Sequence, residues 1–333
     1  MSLVERALKK IQESRGHIPA SAAMQPTSQT ITLDVAPRAA AVPPPLVTQA
    51  VTVERVPSIA PEPVRPSQIV HIDRDELRHA ELLAPQAQAR QLAGEYRHIK
   101  RPLIANALGR GVEKLPNGHR IMVASAMPGD GKTFTSINLA LSFALEKDLS
   151  VVLVDADVAK AHLSRTFGLT SNMGLMDLLR DETLRAESLI LPTDVPGLSL
   201  LPAGKAGDDT ATELLASARM EAIARQITAH DPNRIVLFDS SPLLVTSEAI
   251  VLAGVVGQIL LVVRAGMTPQ SAVLDAIDLL GEGKSIGLVL NQTDDPFHSG
   301  YYYRYSYAEQ GVAEGEAELT ANVPPASQRG DTG

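Results

Sequence analysis

The ten residues Ala124–Thr133, A-S-A-M-P-G-D-G-K-T, constrain this chain more than any other stretch. A short apolar run, Ile121-Met122-Val123, leads into them, and an apolar-rich segment, Phe134–Leu145, leads out. Strand, glycine-containing loop, Lys-Thr and helix, in that order, make the arrangement that cradles a nucleotide's phosphates. Gly129 and Gly131 let backbone N–H groups close around phosphate oxygens with no side chain in the way. The free amides at the start of the following helix add positive potential. In this pattern Lys132 reaches the β- and γ-phosphates and the Thr133 hydroxyl ligates Mg²⁺, with Pro128, Asp130 and Phe134 as further loop contacts. One position departs from the strict pattern, which has Gly where this chain has Ala126. The plainer reading, an ordinary strand-to-helix turn that contains Gly and Lys, leaves the flanking run and helix unexplained.

Bulk properties narrow the classes around that loop. The chain has 333 residues, 44% of them apolar, enough for a sizeable core. It has no cysteine, so neither a disulfide framework nor a thiolate metal site is available. Its eight histidines are scattered, and a formal charge of −8 argues against nucleic acid as a partner. The start of the chain lacks the continuous apolar region of a secretory signal. The longest apolar stretch, Ala249–Val263, is interrupted by Gly254, Gly257 and Gln258 and is too short to span a bilayer. These features point to a cytoplasmic protein.

Four regions are expected. Residues 1–15 place Leu3, Val4, Ala7, Leu8 and Ile11 on one helical face, either a docking helix for a partner or membrane surface or a marginal solubilising one. Residues 16–68 form a Pro/Ala-rich tether without sustained periodicity, since ten of the 23 prolines lie between Pro19 and Pro66. Residues 69–297 are the globular domain. Its leading part, Asp73–Arg110, reads as helical, with Pro102 starting or kinking a helix and Arg97, Lys100 and Arg101 forming a basic cluster: a solvated face, or a subunit contact. Residues 298–333 are a flexible tail holding five of the six tyrosines, Tyr301, Tyr302, Tyr303, Tyr305 and Tyr307.

Within the domain, short apolar runs recur at Ile121–Val123, Val151–Val154, Leu198–Leu201, Ile235–Phe238, Ile259–Val263 and Ile286–Leu290. Helical patterns separate most of them, at Phe134–Leu145, Gly174–Arg180, Thr212–Thr228, Ser247–Ala253 and Pro269–Leu280. This alternation predicts an α/β fold with a mostly parallel sheet covered by helices on both faces, and ligands at the carboxyl ends of the strands. The residues after each run therefore matter most. Asp155 and Asp157 follow the second and Asp239 follows the fourth, so three carboxylates are expected at the edge that carries the phosphate loop. A single such Asp is often a helix cap; three beside a Lys-Thr loop supply Mg²⁺ ligands and leave one over for a nucleophile. Asn291, after the last run, either reads an adenine edge or is a turn residue. The tail leaves from that same edge, and ten extended residues reach roughly 33 Å, so the tyrosines read as phosphate acceptors. An aromatic patch that stacks is the bland alternative.

With loop and tail together, the chain resembles the bacterial tyrosine autokinases (BY-kinases) of polysaccharide loci, in particular the cytoplasmic type found beside exopolysaccharide and exosortase genes. The resemblance covers about Glu95–Tyr307. The family's Walker A is similar to Ala124–Thr133, its Walker A′ to V-V-L-V-D-A-D, and its Walker B to I-V-L-F-D-S-S-P. Further similarity lies in S-R-T-F-G-L, L-P-A-G-K, T-E-L-L-A-S-A-R-M and V-V-R-A-G-M-T. The resemblance implies a P-loop NTPase architecture of the deviant-Walker type and ATP·Mg²⁺-dependent phosphorylation of the tail tyrosines, commonly between subunits, controlling polysaccharide export and chain length. It implies phosphate binding by Lys132 and Thr133 and metal contact by Thr133, Asp157 and Asp239. Asp155 and Asp157 divide between metal contact and orienting the tyrosine hydroxyl. The implied partners are a membrane chain-length-determinant or co-polymerase protein at the inner face of the membrane, a protein-tyrosine phosphatase and further copies of the chain. Two positions depart from the family pattern: Ala159, followed by Lys160, stands where Arg is frequent. The subunit-contact motif reads Gly94-x-x-Arg97-x-x-Lys100, with Glu95 one place off. Two rivals use the same loop, a positioning or partitioning ATPase and an idle nucleotide-binding scaffold. The first usually carries an early loop lysine, where this chain has Met127, and does not account for the tyrosines.

Overall fold

The computed structural model describes residues 68–205, 210–229 and 231–293. The amphipathic start, the tether and the tyrosine-rich tail lie outside these residues. Seven strands, β1 (Arg120–Ser125), β2 (Ser150–Asp155), β3 (Leu191–Pro192), β4 (Leu198–Leu201), β5 (Arg234–Asp239), β6 (Gln258–Arg264) and β7 (Ser285–Asn291), form one sheet in the order β3-β4-β2-β5-β1-β6-β7. Every pairing is parallel except β3 with β4. Each apolar run predicted as a strand is one, and β3 is an addition too short to leave a sequence pattern.

Strand side chains alternate between two cores, as the pleat requires. Met122, Val152, Val154, Val236, Phe238, Ile259 and Leu261 face one side. There they meet α5 (Leu175–Arg180), α8 (Ala218–Ala229) and α10 (Gln270–Leu280) through residues such as Leu178, Ile223 and Ala276. Ile121, Val123, Val151, Leu153, Ile235 and Leu237 face the other side, beneath α2 (Ala89–Leu108) and α3 (Lys132–Ala144). Because both faces are covered, the central strands read as unbroken apolar runs rather than as alternating ones. Phe143 of α3 is fully buried, and a side chain of this kind stabilises by about 1.5–3 kcal/mol on removal from water.

The leading region is not one helix. Asp73 caps α1 (Arg74–His79), its Oδ1 accepting from the N–H groups of Asp75 and Glu76 at 2.9 and 3.0 Å. The chain then breaks over Ala80–Gln88, a stretch that contains Pro85, before α2 begins. Pro102, expected to start or kink a helix, lies inside α2 on its exposed side. Burial of Leu103, Ile104 and Ala107 on the opposite side outweighs the ~3 kcal/mol that an interior proline costs.

The basic cluster separates as well. Arg97 and Arg101 are exposed, but Lys100 is buried, donating to the Ser142 carbonyl at 2.6 Å and pairing with Glu146 at 2.6 Å. It fastens α2 to α3, so it belongs to neither a solvated face nor an outward contact. Gln258, the polar break in the long apolar stretch, has a comparable role: its Oε1 accepts from Asn106 Nδ2 at 2.9 Å and its Nε2 donates to the Leu103 carbonyl at 3.0 Å. The helix expected over Thr212–Thr228 is two, α7 (Ala211–Leu215) and α8. The helices α4 (His162–Thr166) and α6 (Ala186–Leu189) are additions, and α9 (Ser247–Ala253) matches its expected bounds.

Candidate active site

Strand β1 runs through Ser125 and helix α3 begins at Lys132, so the loop proper is Ala126–Gly131. The backbone turns at Gly129 (φ 83°) and Gly131 (φ 98°), conformations that side-chain-bearing residues rarely adopt. A Cβ on Gly131 would lie 2.0 Å from Asn291 Nδ2, whereas one on Gly129 would meet nothing within 4 Å. Gly131 is therefore favoured by its φ, and a Cβ there would also displace the Asn291 side chain. Ala126 is fully buried in the core, and its carbonyl accepts from Leu244 N–H at 3.3 Å. Its methyl group packs inward, which accounts for Ala at a position where the strict motif has Gly.

The loop is braced from inside. Asp130 is buried, with Oδ2 accepting from Met127 N–H (3.0 Å) and Oδ1 from the Thr268 hydroxyl (2.6 Å). Its side chain holds the loop and does not face the cleft. Asn291 Nδ2 donates to the Asp130 carbonyl at 2.9 Å. The amide expected either at an adenine edge or in a turn thus clamps β7 to the phosphate loop. Pro128, Gly129, Gly131, Lys132, Thr133 and Phe134 line a cleft of about 400 Å³ together with Asp157 and Gln292.

The three carboxylates do sit at this edge, each in a different environment. Asp239 is paired in register with Asp155 across β5 and β2. Asp239 Oδ2 accepts from the Thr133 hydroxyl at 2.8 Å and its Oδ1 from the Ser136 hydroxyl at 2.9 Å. Burial and then the neighbouring Asp155 charge push its carboxyl up to about 7, against the pull of those hydroxyls and Lys132. Asp155 Oδ2 accepts from Ser164 N–H (2.7 Å) and from its hydroxyl (2.6 Å), while Oδ1 is buried without a partner. Burial raises Asp155 to about 6. Asp157 lines the cleft, accepting from the Ser241 hydroxyl at 3.2 Å. Lys132 Nζ donates to the Ser125 hydroxyl at 3.0 Å, and burial lowers its pKa against the opposing effect of Asp239 and Asp157.

This set fits a nucleotide phosphate with a divalent cation. Two buried carboxylates with raised pKa values and an unpartnered Oδ1 are groups that gain from a nearby cation. An ammonium desolvated beneath a glycine loop gains from phosphate oxygens. Among the described residues no three His, Cys, Asp or Glu side chains form a ready-made metal cage, and Mg²⁺ is held by few protein ligands beside phosphate oxygens and water.

Several partners escaped sequence reasoning: Ser125, Ser136, Ser164, Ser241 and the pocket wall Ala80–Leu82. Ser136 had a readable signal, since it lies three residues after Thr133 and therefore on the same helical face. The others are brought in by tertiary packing. Asn138 Nδ2, for example, holds the Ala80–Leu82 wall by donating to the Leu82 carbonyl at 2.9 Å. The tyrosines predicted as acceptors lie outside the described residues.

An AAA domain family model matches residues 118–267. Tyrosine-protein kinase YwqD of Bacillus subtilis (strain 168) is 32% identical over 186 residues, 55% of this chain and 76% of that protein. Succinoglycan biosynthesis transport protein ExoP of Rhizobium meliloti (strain 1021) is 29% identical over 212 residues, 60% of this chain and 26% of that protein. Among solved structures, the VpsO kinase domain shares the fold, with a TM-score of 0.51 at 24% identity, covering 63% of this chain and 100% of that one.

Proposed function

We propose that this chain, which belongs to the bacterial tyrosine-protein kinase family, transfers the γ-phosphoryl group of ATP to tyrosines of its own tail and thereby regulates polysaccharide export. The observation that carries this reading is the meeting of Lys132, Thr133, Asp155, Asp157 and Asp239 at one sheet edge. The described chain ends at Thr293, directly after Asn291 and Gln292 of that same edge, and the tail follows in sequence.

Each residue has a task in that reaction. The loop amides and Lys132 hold the β- and γ-phosphates. Thr133, Asp157 and Asp239 would hold Mg²⁺, which would supply neutralisation of phosphate charge. A tyrosine hydroxyl ionises near pH 10, so it gains from an adjacent carboxylate. Asp157, at the cleft, orients the hydroxyl and takes its proton as the bond from phosphorus to the ADP oxygen breaks and the bond to the tyrosine oxygen forms. Asp155, tied to Ser164, adds negative charge beside Asp239. Positioning and charge neutralisation matter more here than base strength.

The acceptors are Tyr301, Tyr302, Tyr303, Tyr305 and Tyr307. Transfer between copies, a membrane co-polymerase as partner and a phosphatase that resets the tail complete the proposal. Its polysaccharide setting is supported by the named role of ExoP. Among the described residues no helix is long and apolar enough to cross a membrane, so recruitment to the membrane is assigned to that partner.

Incubating the purified chain with ATP and Mg²⁺ should place phosphate on Tyr301–Tyr307, detected by mass spectrometry, and Lys132→Met should abolish it. ATP turnover without phosphotyrosine would sink the kinase reading. Mixing a Lys132→Met chain with an active chain lacking residues 301–333 separates the two routes. Phosphate on the inactive chain's tail establishes transfer between copies.

A further inference from the structure

Beyond Asp157 the cleft carries three basic side chains that the phosphate site does not use. Lys160 lies in the turn after β2, and His162 and Arg165 lie three residues apart on α4, hence on one helical face. All three are exposed. Lys132, by contrast, is buried at the start of α3. The pocket's carboxylates are Asp157, engaged by Ser241, and Glu81 on the far wall. No ion pair joins Lys160, His162 or Arg165 to a carboxylate among the described residues. The three charges thus extend from the turn after β2 onto α4, along the wall that faces the cleft.

The sequence holds a segment of complementary charge. After the tyrosines, Glu309, Glu314, Glu316 and Glu318 follow with no Lys or Arg among them. Gln292 lines the same cleft, and the 17 residues from there to Glu309 span about 55 Å at most at about 3.3 Å per residue. The segment is therefore long enough to reach its own cleft or that of a second copy.

We infer that Lys160, His162 and Arg165 form a docking rim for the acidic segment Glu309–Glu318, which holds the preceding tyrosines at the phosphate site. The inference rests on the kinase reading and adds to it how an acceptor is recognised: by carboxylates on its C-terminal side. Tyrosines alone give little selectivity, because a loose transition state asks only that a hydroxyl be positioned. Long-range charge contact supplies selection and a faster encounter, and it is weakened by salt, since the screening length is about 8 Å at 0.15 M.

The test uses the full chain as kinase and a tagged peptide of residues 301–320 as acceptor. With Glu309, Glu314, Glu316 and Glu318 changed to Gln, the KM for peptide should rise about tenfold while kcat holds. Arg165→Glu should raise the KM for the native peptide similarly and add little for the Gln peptide. A peptide with Lys at those four positions should regain affinity for Arg165→Glu. Equal KM values for the native and Gln peptides on the unaltered kinase would overturn the inference. So would a rise in the KM for ATP as large as that for peptide, which would assign the rim to the nucleotide. If no peptide gains phosphate, the kinase reading fails, and fluorescence anisotropy of the labelled peptide on the full chain still decides the docking. Salt-sensitive binding lost with the Gln peptide supports it, and charge-independent or absent binding refutes it.

Discussion

The hydroxyl of Thr133, at the first turn of α3, donates to Asp239 Oδ2 at the end of β5 over 2.8 Å. Two groups 106 residues apart in sequence thus meet where a cation bound to phosphate would sit, and Ser136 completes the grip on Asp239. Thr133→Val keeps the side-chain shape but removes the donor and the metal-ligating oxygen. Nucleotide affinity in Mg²⁺ should then fall at least tenfold, in line with the roughly 1.5–3 kcal/mol of a hydrogen bond to a charged group. Affinity in EDTA should hardly move. A titration with a fluorescent ATP analogue that showed equal losses in both conditions would deny Thr133 a cation-linked role.

The pH behaviour of the nucleotide-free protein follows from the same pair of strands. Asp239 and Asp155 are raised to about 7 and about 6, first by burial. A carboxyl whose folded value lies above its unfolded one stabilises fully below the unfolded value, and that contribution is lost as pH rises through the folded value. The melting temperature in EDTA should therefore decline from pH 5 to pH 8, and Asp239→Asn should flatten the decline. An unchanged slope in Asp239→Asn would show that the pair does not set it.

Gly131 and Asn291 make a steric pair. Gly131→Ala should weaken nucleotide binding and lower stability by more than Gly129→Ala, because only the first adds a Cβ 2.0 Å from Asn291 Nδ2. The strain of a positive φ, about 1–2 kcal/mol, applies to both. Adding Asn291→Ala should recover part of the Gly131→Ala loss. Thermal melting and nucleotide titration of the three variants give the comparison, and equal costs for the two glycines would count against the clamp.

Lys100 tests what a buried charge contributes. Glu146→Gln leaves a buried ammonium with the Ser142 carbonyl alone, and should cost about 1–2 kcal/mol in urea unfolding, discounted for the exposure of Glu146. Lys100→Met removes the charge and fills the same space, and should cost less. If Lys100→Met proves the more damaging change, the hydrogen bond to Ser142 outweighs the desolvation penalty.

Much of this architecture is legible in one dimension because its causes are local or periodic. The runs Val151–Val154 and Ile235–Phe238 announce strands buried on both faces, and two glycines with Lys132 and Thr133 announce a phosphate loop. Aspartates directly after such runs fall at the same edge because parallel strands end together. What the sequence could not order is who partners whom. Asp130 and Asp157 both follow the phosphate-site pattern, yet Asp130 turns inward to Met127 and Thr268 and Asp157 lines the cleft. Lys100 and Arg97 share a basic cluster, yet one is buried against Glu146 and the other faces water. Pro102 reads as a helix start or kink, and packing of the opposite face carries α2 through it.

The chain by itself therefore determined the parallel α/β scaffold, the phosphate loop and the edge at which its chemistry gathers, since periodicity and glycine placement act over a few residues. Only the tertiary structure decided that Thr133 and Ser136 hold Asp239, that Ser164 holds Asp155, that Asn291 clamps the loop and that Ala80–Leu82 wall the cleft. Those contacts join residues from separate elements, and at Asp155 and Asp239 burial leaves a polar atom no water to bond, so it takes a protein partner.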